Sequence, residues 1–95
     1  MNESKIVLVE FLGSFIFFSI ILAVVSDPSI NVVAIPVGLL AAIYFGGKIS
    51  GGHFNPAVSL MMYLKGKINA VLTLIYMMSQ VIGAVAAVLL SNYLY

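Results

Sequence analysis

The sequence predicts an all-α membrane protein with three transmembrane helices, one re-entrant loop and one half-helix. Of its 95 residues, 63% are hydrophobic and only 7% are charged, which leaves too little polar surface to cover a water-soluble globule of this size. The apolar residues form three long runs, and a stretch rich in glycine and proline separates the second run from the third. We expect a single small domain over residues 1–95.

The first predicted element is a transmembrane helix over Ile6–Val25. This run is long enough to cross a hydrocarbon core of ~30 Å at about 1.5 Å per residue. The turn cluster Ser26-Asp27-Pro28-Ser29 ends it, and the cluster contains no small-x-small cleavage pattern. We therefore expect a retained helix rather than a signal peptide.

The second and third apolar runs complete the three predicted crossings. The second extends from Asn31, its expected cap, to about Phe45, with Pro36 near its first turns. The third extends from Ile68 to about Leu94 and is long enough to cross with tilt. Both runs carry small residues along one stripe, which lets a neighbouring helix backbone approach closely.

The stretch between Lys48 and Lys65 cannot span a membrane. A helix over Pro56–Leu64 would cover only about half of the hydrocarbon core. Because both lysines prefer the same aqueous face, we expect the chain to enter through Ile49–Phe54 and return as a half-helix starting at Asn55-Pro56. Irregular backbone at that depth is tolerated only against protein or a water-filled cavity. The sequence therefore predicts a polar surrounding for this loop, and a permeation path is the natural interpretation.

Charge and reactive side chains exclude several function classes. The positively charged residues are all lysines, and a net charge of +1 is too small to indicate a surface that binds nucleic acid. One histidine, no cysteine and no paired carboxylates leave no nucleophile–base pair, so we expect neither an enzyme nor a metal or other cofactor. In the predicted topology all four lysines lie on one side of the bilayer, and the positive-inside rule makes the amino terminus cytoplasmic.

Three short motifs carry a resemblance to a known family. They are SGGHFNPAVS at Ser50–Ser59, EFLGS at Glu10–Ser14 and SQVIGA at Ser79–Ala84. Together they resemble the aquaporin and aquaglyceroporin family, and SGGHFNPAVS is similar to its first Asn-Pro-Ala signature. The resemblance covers nearly the whole chain and corresponds to the amino-terminal half of a family member. It implies passive permeation of water or of small neutral solutes such as glycerol.

The resemblance also implies that six residues line the path: Asn55, Gly51, Gly52, His53, Ile35 and Val58. The two glycines and the histidine would present backbone carbonyls to single-file permeants, and Asn55 would donate its side-chain amide, although a helix cap alone also explains an asparagine there. Ile35 takes the position where family members usually place an aromatic at the outer constriction. The arginine that completes this constriction belongs to the second half, and a second copy of this chain would offer Val58 in its place, so the filter would be aliphatic. Pro56 and Ala57 are expected to be structural.

Residues in the helices are expected to support the loop: Glu10, Gln80 and Ser14. The resemblance implies that Glu10 accepts hydrogen bonds from loop N–H groups or from His53. The residues themselves leave alternatives open, because Glu10 lies about one turn from Lys5 and snorkelling to the interface would also explain it. An ordinary helix–helix hydrogen bond would explain Gln80. We interpret His53 as a hydrogen-bonded packing element rather than a pH gate.

Three crossings and one half-helix enclose no channel alone, because the other wall of the path would be lipid. The expected partners are therefore the bilayer and either a second copy, as an antiparallel pair or higher oligomer, or a complementary half that carries Asn-Pro-Ala-Arg. The one-sided lysines argue for the complementary half, and a parallel homo-oligomer also fits them. The competing functions are a non-conducting protein that docks with full-length or half-size relatives and a small dual-topology ion channel.

Overall fold

A computed structural model describes residues 2–95 and shows four α-helices: α1 (Glu3–Ser26), α2 (Ala34–Ser50), α3 (Pro56–Leu64) and α4 (Ala70–Leu94). Within residues 2–95, α1 and α4 are long and apolar enough to cross a membrane. α2 is also apolar but has 17 residues, or roughly 25 Å of helix. The predicted helical class is confirmed, whereas the third crossing stays a prediction.

The second helix differs most from its predicted bounds. It begins at Ala34 rather than at Asn31, whose Oδ1 accepts from the backbone N–H of Val33 at 2.9 Å in a turn before the helix. It also continues past the predicted end near Phe45 to Ser50. The chain leaves helical geometry only at Gly51, where φ is 89°, a value that glycine adopts at little cost.

α3 is short and has a defined cap at each end. The Asn55 side chain accepts from a backbone N–H in the first turn at 2.8 Å, and a proline occupies the first helical position. At the other end, the N–H groups of Gly66 and Lys67 donate to the carbonyls of Tyr63 and Met62, both at 2.9 Å. This is a Schellman motif with glycine at φ 79°. The predicted bounds of the half-helix are confirmed.

The turn after α1 is closed by a side chain. Asp27 Oδ1 accepts from the backbone N–H of Ser29 at 3.0 Å and from its hydroxyl at 2.7 Å. These two donors stabilise the charged carboxylate and hold the pKa of Asp27 below its usual range. The turn predicted from Ser26-Asp27-Pro28-Ser29 is therefore present.

α1 lies at the centre of the bundle. It packs against α4 and against α2, while α3 packs against α4. The buried side chains are mainly polar. The buried polar residues are Glu10, Ser14, Ser50, His53, Ser59, Thr73, Ser79 and Gln80. Most large apolar side chains are exposed instead, which fits a helical bundle whose outer surface contacts lipid. The interior of the bundle therefore consists mainly of polar side chains that can form hydrogen bonds rather than of an apolar core.

Candidate functional site

Residues 51–55 connect α2 to α3 without regular secondary structure. Gly51, Gly52 and Phe54 have positive φ values of 89°, 66° and 51°. The left-handed region is open to glycine, whereas it costs a residue with a Cβ about 1–2 kcal/mol. This tight coil turns the N–H groups of two successive residues, His53 and Phe54, toward one acceptor.

That acceptor is Glu10, which is fully buried in α1. Its Oε2 accepts from the Ser50 hydroxyl at 2.7 Å and from the His53 N–H at 3.1 Å. Its Oε1 accepts from the Phe54 N–H and from Gln80 Nε2, both at 2.8 Å. Four uncharged donors thus surround the carboxylate, two on each oxygen. Glu10 points into the bundle and ties the loop, the end of α2 and the middle of α4 to α1.

Ser59 extends this network from the loop into α3. Its Oγ lies 2.9 Å from Gln80 Nε2 and 2.8 Å from His53 Nδ1. Gln80 Nε2 donates to this oxygen, and the direction of the hydrogen bond between Ser59 Oγ and His53 Nδ1 follows the tautomer of the imidazole. The imidazole also stacks on the ring of Tyr76 with the centroids 4.2 Å apart. His53 is therefore held by a hydroxyl on one edge and by an aromatic ring on one face.

Tyr76 also supports the start of the loop, because its hydroxyl donates to the backbone carbonyl of Ser50. We expect Tyr76→Phe to lower the free energy of unfolding by about 1 kcal/mol, since the buried carbonyl loses its donor while the stacking on His53 remains. Thermal unfolding in detergent, followed by circular dichroism, measures this change. Tyr93→Phe is the control, since Tyr93 is 87% exposed. Equal destabilisation by the two substitutions would contradict this role.

The structure brings together the predicted loop residues with Glu10 and Gln80. Within the loop, Gly52 and His53 are buried, whereas Gly51 and Asn55 are exposed. Asn55 Oδ1 is used in the cap, and its Nδ2 makes no hydrogen bond within residues 2–95. The exposed edge of the loop therefore carries an unused amide donor.

Two predicted site residues, Ser14 and Ile35, lie outside the hydrogen-bond network around Glu10. Ser14 is buried one turn beyond Glu10 and faces Gly83 of α4, and its Oγ has no hydrogen-bond partner within residues 2–95. Ile35 lies in the first turn of α2, roughly 22 Å along the helix axis from Ser50. Neither side chain takes part in the hydrogen-bond network that holds the loop.

Sequence reasoning missed part of the network, namely the roles of Ser50, Ser59 and Tyr76. The helical period contains a signal for one of them. Tyr76 lies four residues before Gln80 in α4, so the two share one helix face. A polar residue on the same face as a predicted site residue, inside an otherwise apolar helix, was therefore the available clue.

The sequence model of the major intrinsic protein family matches residues 1–95. The chain belongs to this family. The resemblance based on three motifs is thereby confirmed, and the protein is an integral membrane protein of a family whose members are channels and not enzymes.

Curated members of the major intrinsic protein family align with different lengths of this chain. Glycerol uptake facilitator protein-like 6 of Lactiplantibacillus plantarum is 39% identical over 85 residues, covering 84% of this chain and 39% of that protein. Aquaporin-8 of Rattus norvegicus is 36% identical over 92 residues, covering 88% and 34%. Aquaporin Z of Photorhabdus laumondii is 49% identical over 49 residues, covering 52% and 21%. The chain thus spans well under half the length of these relatives, and no solved structure matches it.

Proposed function

We propose that residues 1–95 form one half of a membrane channel for passive permeation of water and of small neutral solutes such as glycerol. The observation that carries this proposal is the loop at residues 51–55, anchored on a buried carboxylate with one edge left exposed. Relatives that are named as aquaporins and as glycerol uptake facilitators support the same solute class.

The depth of the loop supports a path through the membrane. Glu10 lies seven residues from the start of α1, or roughly 10 Å, and Gln80 lies ten residues from the start of α4, or roughly 15 Å. Glu10 bonds to the loop and Gln80 bonds to Ser59 just after it, so the loop lies roughly a third of the way along helices that are each roughly 36 Å long. Peptide groups at that depth require hydrogen-bonding partners, which a file of permeating molecules supplies.

The electrostatics of the loop favour neutral permeants. The start of α3 carries about half a positive charge from its aligned peptide dipoles, which repels cations and protons. Asn55 lies at this start and offers its Nδ2 as a donor to a passing oxygen. The backbone carbonyls of Gly51, Gly52 and His53 are the proposed acceptors along the same path.

The path needs a second wall. α3 packs against α4 alone among the helices in residues 2–95, and it exposes Leu60, Met61 and Leu64. We propose that a second half covers this face and the loop edge, either as an antiparallel copy or as a complementary half with the opposite orientation. The lysine distribution favours the complementary half, with the amino terminus of this chain in the cytoplasm.

Aliphatic side chains are proposed to set the selectivity. Val58 lies in the first turn of α3 close to Asn55 and is half-buried, whereas Ile35 lies at the far end of α2. In a homomeric pore, Val58 of a second copy would take the place of the arginine. Without an aromatic residue or an arginine at these positions, such a homomeric path is expected to admit glycerol-sized molecules.

Proteoliposome stopped-flow tests the proposed function. The chain is reconstituted alone and together with a complementary half from a family member, and vesicle shrinkage and re-swelling report water and glycerol flux. We expect faster flux than in empty vesicles in at least one preparation. Rates equal to those of empty vesicles in both preparations would overturn the proposal. If the two halves co-purify without flux, the non-conducting docking function replaces it.

Asn55→Ser separates the cap from the amide donor. Serine also caps helices, so we expect the free energy of unfolding to change by no more than about 0.5 kcal/mol. Water flux per folded protein should nevertheless fall severalfold, because the Nδ2 donor is lost. Asn55→Ala removes both functions and should lower stability as well. Unchanged flux in Asn55→Ser would show that Asn55 is a cap alone.

A further inference from the structure

Phe54 combines full burial with an unfavourable backbone conformation. It is the one non-glycine residue with positive φ in residues 2–95, at 51°, and its side chain is fully buried. An aromatic residue rarely adopts this region, and it persists there only where the surrounding structure over-determines it. Something in the packing therefore holds Phe54 in place against its backbone preference.

The ring occupies a hole formed by glycines on two helices. A Cβ added at Gly13 of α1 would overlap the Phe54 ring, and one added at Gly46 of α2 would lie 2.7 Å from Val9 Cγ1 and 3.1 Å from Phe54 Cζ, both closer than ordinary contact. Both glycines are buried. The Phe54 ring thus packs where two neighbouring helices, α1 and α2, lack side chains. The hole between these helices accommodates the size and shape of the ring.

The ring borders an apolar space. An open-sided cavity of about 400 Å³ lies between α1 and α2 at the surface of the bundle, and Phe54, Gly13 and Gly46 form part of its wall. Its other lining residues are apolar. The ring therefore separates the loop from an apolar space into which the loop could retreat if the ring were removed.

The backbone of the same residue is part of the Glu10 anchor. The Phe54 N–H donates to Glu10 Oε1 at 2.8 Å, and the preceding N–H, of His53, donates to Oε2. Asn55 follows directly in the chain. A shift of the ring must therefore move both the N–H groups on Glu10 and the amide of Asn55.

We propose that Phe54 is a positioning residue for permeation: its ring, seated between Gly13 and Gly46, holds the loop edge and Asn55 at the distance that sets the width of the path. This inference rests on the proposed function. Loss of the ring lets the loop retreat toward the cavity and widens the path, so discrimination against larger polyols falls while smaller solutes still pass.

Amide hydrogen exchange of the reconstituted chain tests the anchoring without requiring transport. In Phe54→Ala we expect exchange of the His53 N–H to accelerate by about tenfold or more, with the backbone of α4 unchanged. Tyr44→Ala is the matched control, because that ring lies on α2, is 78% exposed and is not part of the cavity wall. Equal exchange in the two variants would overturn the proposal.

Two further substitutions separate ring packing from backbone strain. Phe54→Gly relieves the strain of positive φ but also removes the ring, and we expect it to accelerate exchange as Phe54→Ala does. Slower exchange than in the unmodified chain would overturn the proposal. Gly13→Ala should also accelerate exchange, because the three atoms nearest to the new Cβ all belong to the Phe54 ring, and Phe54→Leu in the same chain should restore protection by making room for the new methyl group. If Phe54→Leu does not restore protection, that result argues against the packing of the Phe54 ring in the hole between the glycines.

The flux readout tests the positioning role itself. In the preparation that conducts glycerol, we expect Phe54→Ala to raise the ratio of erythritol flux to glycerol flux severalfold per folded protein. A purely structural role would lower the amount of folded protein and leave this ratio unchanged, and that outcome would overturn the role in permeation. If neither preparation of the unmodified chain, alone or with a complementary half, conducts water or glycerol, the proposed function fails and the permeation role fails with it, whereas hydrogen exchange still decides the anchoring.

Discussion

Glu10→Gln is expected to lower the free energy of unfolding by about 3–5 kcal/mol and to abolish selective permeation. The carboxylate accepts four hydrogen bonds, two on each oxygen. Glutamine replaces one of these acceptors with an NH₂ group, so two buried donors on that side face a third donor. Each buried donor left without a partner costs about 1–3 kcal/mol. The substitution preserves shape and volume, so the effect reports the loss of an acceptor and of the negative charge rather than a change in packing.

Thermal and denaturant unfolding in detergent measure the stability of Glu10→Gln, and stopped-flow measures its flux per folded protein. Glu3→Gln is the matched control, because Glu3 is exposed in the first turn of α1. We expect the control to change stability by no more than about 0.5 kcal/mol. If both substitutions have the same small effect, Glu10 does not anchor the loop.

Gly83→Ala is expected to destabilise the protein by about 2 kcal/mol through the contact between α1 and α4. The new Cβ would lie 2.9 Å from the carbonyl oxygen of Phe11 and 3.1 Å from the backbone nitrogen of Phe15. Backbone atoms of a helix cannot turn away as a side chain can, so α1 and α4 must separate. That separation pulls Gln80, one turn away, from Glu10.

Gly47→Ala provides the matched control for this substitution. A Cβ at Gly47 meets only a side-chain carbon of Ile43 at 3.6 Å, which is ordinary van der Waals contact. Because alanine is favoured over glycine inside a helix, we expect Gly47→Ala to leave stability unchanged or to raise it by up to about 1 kcal/mol. Unfolding in detergent compares the pair, and a Gly83→Ala protein as stable as Gly47→Ala would contradict the close contact.

Local chemistry explains why some structural features could be predicted from residues alone. Asparagine followed by proline defines the start of α3, and Gly66 defines its end, because cap geometry depends on a few neighbouring residues. The end of α2 was predicted too early. Gly46 and Gly47 resemble helix breakers in sequence, but α2 continues through both, and within the bundle Gly46 allows the close approach of Val9 and Phe54.

The sequence by itself determined the helical membrane class, the half-helix bounds and, through three motifs, the family to which the chain belongs. Only the tertiary structure decided which polar groups meet: Glu10 with the loop and Gln80, and Ser59 with His53. It also excluded Ser14 from that network and revealed the hole for Phe54. The physical reason is distance along the chain. Composition and capping act over a few residues, whereas the hydrogen bonds of Glu10 and the packing of Phe54 join residues far apart in the chain.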